Sequence, residues 1–183
     1  MCQLQSVRKF VYDGWKLTAE INESGSLERN YAWSSELLVV GQNGNLHQVG
    51  HDASQNVAVL VQANTGKSVA VYEYDPFGLV LKAIGDFADQ NPFRYSSQYM
   101  DNETGLLYYG LRFYNPQPGR WISRDPSEEA GGLNVYAFAS NDGINRVEPH
   151  SEKVNRLQSL ALANKTVVKL EKTHYVWDFG AKP

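Results

Sequence analysis

The sequence predicts an all-β chain of antiparallel hairpins, and two observations carry that prediction. Between Asn91 and Pro149, six tyrosines (Tyr95, Tyr99, Tyr108, Tyr109, Tyr114 and Tyr136) are interleaved with turn residues at short intervals. The turns read as Asn102-Glu103-Thr104-Gly105, Asn115-Pro116-Gln117-Pro118-Gly119, Asp125-Pro126 and Asn141-Asp142-Gly143. Aromatic runs bounded by Asn, Asp, Pro and Gly are the pattern of hairpins in an antiparallel sheet. Composition agrees: 11 Tyr and 15 Gly against 2 Met favour strands and turns.

Taken from the N-terminus, Tyr12-Asp13-Gly14-Trp15-Lys16-Leu17 reads as a short tyrosine–aspartate hairpin with its glycine displaced. His51-Asp52-Ala53-Ser54-Gln55-Asn56-Val57 reads as a second unit, with His51 in the tyrosine place and Gln55 in the glycine place. Tyr74-Asp75-Pro76-Phe77-Gly78-Leu79-Val80 is the clearest unit, with Gly78 for the turn and an apolar strand beyond it. Asp52 and Asp75 lie 23 residues apart but Asp13 and Asp52 lie 39 apart, so one unit is expected to be shortened or lost between Tyr31 and Gly50. A single hairpin cannot bury its own apolar face and needs neighbours beside it. Tyrosine brings a large ring and a hydroxyl that must find a partner, and Asp or Asn at the turn can bond its own backbone. Gly66-Lys67-Ser68 invites a phosphate-loop reading, but the glycine required five residues earlier is Val61. A hairpin turn at Asn64-Thr65-Gly66-Lys67 explains it.

The chain is 42% hydrophobic and 20% charged, as expected of a globular protein rather than a disordered one. A net charge of −3 and a pI near 5.8 give no global argument for nucleic acid or an anionic membrane. Cys2 is the one cysteine, so no internal disulfide can form. No run approaches the roughly 18 apolar residues of a membrane helix. Met1 to Val11 lacks the apolar core of a signal peptide. The histidines His47, His51, His150 and His174 form no zinc pattern, and neither a metal nor a cofactor is expected.

Four stretches then match one known family in order. Tyr99, Asp101, Glu103, Thr104, Gly105, Leu106 and Tyr108 fit Y-x-D-x-E-T-G-L-x-Y. Arg112, Tyr114, Pro116, Gly119, Arg120 and Trp121 fit R-x-Y-x-P-x-x-G-R-[FW]. Ser123, Arg124, Asp125 and Pro126 fit S-R-D-P, and Gly131, Gly132, Leu133, Asn134 and Tyr136 fit G-G-x-N-x-Y. The chain resembles the RHS repeat-associated core domain, the closing module of bacterial RHS/YD-repeat proteins. The resemblance implies a β-shell, in which hundreds of residues of hairpins enclose a separate polypeptide. This chain holds about three such units and the closing module, as expected of a truncated or decayed member.

The same resemblance implies one chemistry. In these cores two Asp-Pro-x-Gly motifs supply an aspartyl self-cleaving pair that frees the polypeptide beyond them. Two carboxylates close together cannot both be ionised, so one polarises the carbonyl while the other activates water. The first position carries over as Asp125; the second maps to Glu148, where Glu replaces Asp. Glu128 and Ser151 stand where the family has glycine, and Glu152 stands where it has an apolar residue. A catalytic group misplaced by about 1 Å can lose on the order of 100-fold. The competing reading makes Asp125 a turn cap and Glu148 a surface charge; under both readings Arg120 and Arg124 lie near enough in sequence to pair with either carboxylate. Tyr108-Tyr109 with Trp121 could form a sugar platform, or the rings could simply pack the sheet.

After Pro149 the resemblance stops. Ser151 to Ala163 reads as a short amphipathic helix with Ser151 as N-cap. Lys165 to Phe179 reads as one or two strands. Residues 150–183 carry a net charge of +3 against −6 for the rest. The organisation expected is therefore degenerate repeat hairpins over 1–90, the closing core over 91–149 and a divergent α/β tail over 150–183. The expected role is a structural scaffold of a shell that encapsulates or presents a C-terminal effector. Its partners would be further shell, or itself through strand edges, with secretion or surface display if an exported parent carries it. Two alternatives stand beside it: self-cleavage through Asp125 and Glu148, and a toxin remnant in the tail.

Overall fold

The computed structural model describes residues 2–126, 133–143 and 169–177. Their strands in chain order are β1 (Cys2–Asp13), β2 (Lys16–Asn22), β3 (Leu27–Trp33), β4 (Leu37–Gln42), β5 (Asn45–His51), β6 (Val57–Gln62) and β7 (Ser68–Tyr74). They continue as β8 (Val80–Ile84), β9 (Tyr99–Asp101), β10 (Leu106–Tyr108), β11 (Phe113–Asn115), β12 (Arg120–Trp121) and β13 (Lys169–Trp177). The all-β class is as expected: pairing is antiparallel throughout, and the described residues contain no α-helix. The expected helix over Ser151 to Ala163 lies outside the described residues. The expected tail strand is present as one strand, β13, which pairs with β1 from Cys2↔Trp177 to Val11↔Lys169.

The chain forms two compact units, Met1–Leu46 with Lys165–Pro183, and His47–Asn164. In the first, the strand order is β13-β1-β2-β3-β4. The Tyr12-Asp13 hairpin differs from the expected repeat unit. Tyr12 faces Leu17 and Asp13 faces Lys16, so only Gly14 and Trp15 make the corner. Gly14 takes φ +59, as a two-residue hairpin turn requires. A full repeat turn lies instead at Asn22–Ser26, where the sequence reading placed none. Asn22 Oδ1 accepts the N–H of Ser26 at 2.9 Å, and Gly25 N–H donates to the Asn22 carbonyl at 3.1 Å.

This unit is organised around a charge. Glu20 of β2 is fully buried. Its Oε2 lies 3.1 Å from Arg29 Nη1 and 3.4 Å from Arg8 Nε, and the Tyr31 hydroxyl donates to its Oε1. Arg8 also reaches Glu28 at 3.1 Å, and Arg29 Nε donates to Gln42 Oε1 at 3.0 Å. A carboxylate withdrawn from water is tolerable only with such saturation.

In the second unit β5-β6-β7-β8 run in sequence order, and a separate sheet has the order β12-β11-β10-β9. Two repeat turns follow one plan. Asp52 Oδ1 accepts the N–H of Ser54 at 2.8 Å and of Asn56 at 3.0 Å. Asp75 Oδ1 accepts the N–H of Phe77 at 2.9 Å and of Leu79 at 2.8 Å. Gly78 takes φ +86, and Gln55 accepts φ +63 in the equivalent place without being glycine. Register shifts mark bulges along the hairpins, as between Gly50/His51 and Glu73/Tyr74. Such bulges bend the strand and increase its twist.

In the smaller sheet Met100, Leu107, Tyr114 and Trp121 align across four strands on one face. They pack with Tyr95, Phe138 and Ala139 into one buried cluster, with Tyr114 and Phe138 centroids 4.1 Å apart. Close aromatic pairs add about 0.5–1.5 kcal/mol each beyond their buried area.

Glu20→Gln is expected to lower the unfolding free energy by about 3 kcal/mol, because Arg29 loses its counter-charge and Arg8 is left with Glu28. Tyr31→Phe should cost about 1 kcal/mol, the usual net worth of one hydrogen bond. Urea titration measures both. A loss below about 1 kcal/mol for Glu20→Gln would mean that water satisfies the network.

Candidate functional site

Asp125 follows β12 and is held from two sides. Its N–H donates to the Val135 carbonyl at 2.9 Å. Its Oδ2 lies 3.0 Å from Arg112 Nη1, with the side chains 23% and 15% exposed. The pair is an electrostatic contact; Nη1 makes no aligned hydrogen bond among the described residues. Arg112 comes from the Tyr109–Arg112 connection between β10 and β11, closed by the bond from Tyr109 N–H to the Arg112 carbonyl at 3.0 Å. Its guanidinium carbon sits 4.0 Å from the centre of the Trp121 ring. Proximity along the chain had pointed to Arg120 or Arg124, but both are exposed. The R-x-Y match at Arg112 was the available signal. Glu148 lies outside the described residues.

The remaining candidates resolve into structural roles. Trp121 is 3% exposed and packs with Tyr109 edge to face at 5.0 Å. Tyr108 instead stands across from Phe113 at 5.1 Å. The Tyr108-Tyr109-Trp121 group is therefore no continuous platform: Tyr108 packs on Phe113, while Tyr109, which follows β10, packs on Trp121. Asn64–Lys67 forms a hairpin turn, with Gly66 N–H on the Gln62 carbonyl at 2.9 Å and Gly66 at φ +70. His47 is buried and stacked on Phe87 at 4.1 Å. Among the described residues no group of three or more His, Cys, Asp or Glu is gathered where it could hold a metal ion.

Four tyrosines of this unit share a habit: their hydroxyls donate to main-chain carbonyls. Tyr72 reaches Ala88 at 2.7 Å and Tyr74 reaches Val57 at 2.8 Å. Tyr95 reaches Pro76 at 2.9 Å and Tyr114 reaches Phe77 at 2.7 Å. The last two seat the closing module on the Asp75 repeat turn. Ser96 N–H and Ser97 Oγ do the same at the Asp52 turn, on Asn56 Oδ1 at 2.8 Å and the Gln55 carbonyl at 2.9 Å. Burial pushes the Tyr95 phenol up to about 12, helped by the negative charges of Asp75 and Asp52. Burial raises Tyr74 as well, with Tyr72 beside it adding to the effect. It also raises Tyr72, against the hydrogen bond from Asn91, and Tyr108.

Side-by-side antiparallel hairpins with Asp-centred turns, followed by a small aromatic sheet, are the described fold. The chain belongs to the Teneurin YD-shell family, whose model matches residues 3–144. It is thus an RHS/YD-repeat chain, as the motifs implied. It is similar to the tRNA3(Ser)-specific nuclease WapA of Bacillus spizizenii, at 30% identity over 79% of this chain and 6% of that protein. It is 45% identical to toxin subunit YenC2 of Yersinia entomophaga over 46% of this chain and 9% of that one. The crystal structure of TcdB2-TccC3 shares the fold with a TM-score of 0.64 at 22% identity, covering 82% of this chain and 8% of that chain. The chain spans less than a tenth of the length of each of these relatives.

The buried phenols predict alkaline lability. Their folded-state values lie above the unfolded value of 10.0. Their contribution is complete below pH 10.0 and is lost as pH rises towards about 12, the value of Tyr95. Tyrosinate absorbance followed with circular dichroism should show exposed phenols ionising first and the buried set only as the sheets unfold. All 11 tyrosines ionising together near pH 10.0 with the sheets intact would contradict it.

Proposed function

We propose that this chain is a structural segment of a YD-repeat shell, a scaffold that encloses or presents a polypeptide rather than a catalyst. In this reading 1–90 supplies repeat hairpins, 91–149 the closing core and 150–183 the variable tail, with display outside the cell if an exported parent carries them. The observation that carries it is the docking of Tyr95 and Tyr114 on the carbonyls of Pro76 and Phe77. The closing module's chemistry is used to fasten it to a repeat turn. Its partners are further shell or a second copy. In the described residues β8 is paired on one side only, by β7, and Leu81 and Ile84 are 65% and 55% exposed. Lys82 is engaged by Glu73 at 2.8 Å. An apolar edge of this kind invites another strand.

Sedimentation velocity tests the open edge. Concentration-dependent association is expected, with Leu81→Lys combined with Ile84→Lys moving the chain towards monomer. A wild-type monomer at every concentration, with one cooperative melt, would remove that part of the reading.

A second reading is favoured by one observation: Asp125 is partly withdrawn from water beside a fixed guanidinium. It makes the chain an aspartyl self-cleaving protein through Asp125 and Glu148. Intact mass of the purified chain, fresh and after a day at mildly acidic and neutral pH, decides it. A cut between about Glu148 and Glu152 that Asp125→Asn abolishes supports self-cleavage; a lasting species of 20.6 kDa leaves the scaffold alone.

A further inference from the structure

We propose that the tail strand β13 is a built-in cover for the β1 edge that limits self-association to pairs, an inference that rests on β8 being a strand-accepting edge. β13 runs antiparallel to β1 over the register Cys2↔Trp177 to Val11↔Lys169. β2 meets β1 only from Arg8↔Asn22 to Asp13↔Lys16. Among the described residues, Cys2, Gln3 and Leu4 therefore have β13 as their ladder partner, at Trp177, Val176 and Tyr175. The covering strand reads KLEKTHYVW, and its Thr, Tyr, Val and Trp are residues that suit a pleated sheet.

The edges at β8 and β13 offer a newcomer different things. Lys82 is the one charge along β8, and Leu81 and Ile84 are exposed there. β13 carries Lys169, Glu171 and Lys172 within its first four residues. Charged residues, lysine above all, are how sheet edges refuse a further strand. In the smaller sheet the outer strands β9 and β12 have 3 and 2 residues, and each already meets an isolated bridge, Phe93↔Tyr99 and Arg120↔Ala137. A chain that offers β8 alone pairs with the β8 of a second copy; both use the same edge, and the contact closes. An uncovered β1 edge would instead take the β8 of another copy. Each added copy would then bring a new open edge, and growth would not stop at two. β13 prevents this by strand addition within one chain, where its effective concentration exceeds that of any strand from another copy in dilute protein.

Lys172→Pro combined with Thr173→Pro tests the cover in the full chain. Successive residues of a strand turn their N–H groups to opposite sides, so one of the two must point at β1, and proline has none to donate. Sedimentation velocity should show the wild-type chain stopping at the dimer and the variant growing past it with concentration. Amide hydrogen exchange followed by NMR should show protection within Cys2–Leu4 in the wild type and its loss in the variant, with the β6–β7 ladder protected in both. A KLEKTHYVW peptide in excess should return the variant to the dimer. Wild-type protein that grows past the dimer, or that shows no protection within Cys2–Leu4, overturns the inference and leaves the β8 edge standing. A variant that loses that protection yet stays dimeric also overturns it. Wild type and variant both monomeric at every concentration overturn the β8 edge and this inference together. Should the proline pair keep the first unit from folding, Tyr175→Pro with Val176→Pro disturbs only the end that β2 does not reach, and the same outcomes decide.

Discussion

The second unit depends on how a repeat turn satisfies its own backbone. At Asp75 one carboxylate oxygen takes the N–H groups of Phe77 and Leu79. With those donors held, the carbonyls of Pro76 and Phe77 are presented as acceptors, and the hydroxyls of Tyr95 and Tyr114 take them. The Asp52 turn repeats the scheme for Ser96 and Ser97. Both serines have left-handed backbones, at φ +49 and +51, which costs non-glycine residues roughly 1–2 kcal/mol each. Such strain persists only where the surroundings over-determine it, and the two bonds to the Asp52 turn do so.

The tight approach of chain to turn also explains two glycines. A Cβ on Gly78 would come within 2.5 Å of the Tyr95 ring, and one on Gly143 within 2.1 Å of the Pro76 carbonyl oxygen. Gly143 therefore lets the end of the closing module pass over the same turn that Tyr95 grips. One repeat turn thus receives three separate parts of the module, which is why the module reads as a cap on the hairpins.

Much of this was legible in the sequence, and the exceptions have physical causes. The Asp75 turn was plain because tyrosine, aspartate, proline and glycine all stand in their places. Gln55 was read correctly as a stand-in for glycine. The Asn22 turn escaped because Ile21 and Asn22 replace the tyrosine–aspartate pair, although an amide oxygen accepts N–H groups as a carboxylate does. Tyr12-Asp13 misled for the opposite reason: the pair is present, but Gly14 turns the chain too soon for the aspartate to span the corner. Arg112 was missed as the partner of Asp125 because neighbours along a strand diverge to opposite faces while the β10–β11–β12 register brings distant residues together. The Glu20 network left no pattern, since its members come from four strands.

Trp121 connects the scaffold to the candidate chemistry. Its indole nitrogen is buried and has no hydrogen-bond partner among the described residues. An unmet buried donor costs about 1–3 kcal/mol, and a phenyl ring would fill the place without it. What the indole offers beyond packing is a richer π face, and that face is where the Arg112 guanidinium lies. The clustering of Trp121 with Tyr114 and Phe138 makes this face rigid, so the position of Arg112 follows from the core itself. Trp121 therefore also sets where a charge stands beside Asp125. The scaffold and self-cleavage proposals thus draw on the same cluster: the first uses its rings as packing, the second uses one of them as the seat of the cation beside Asp125.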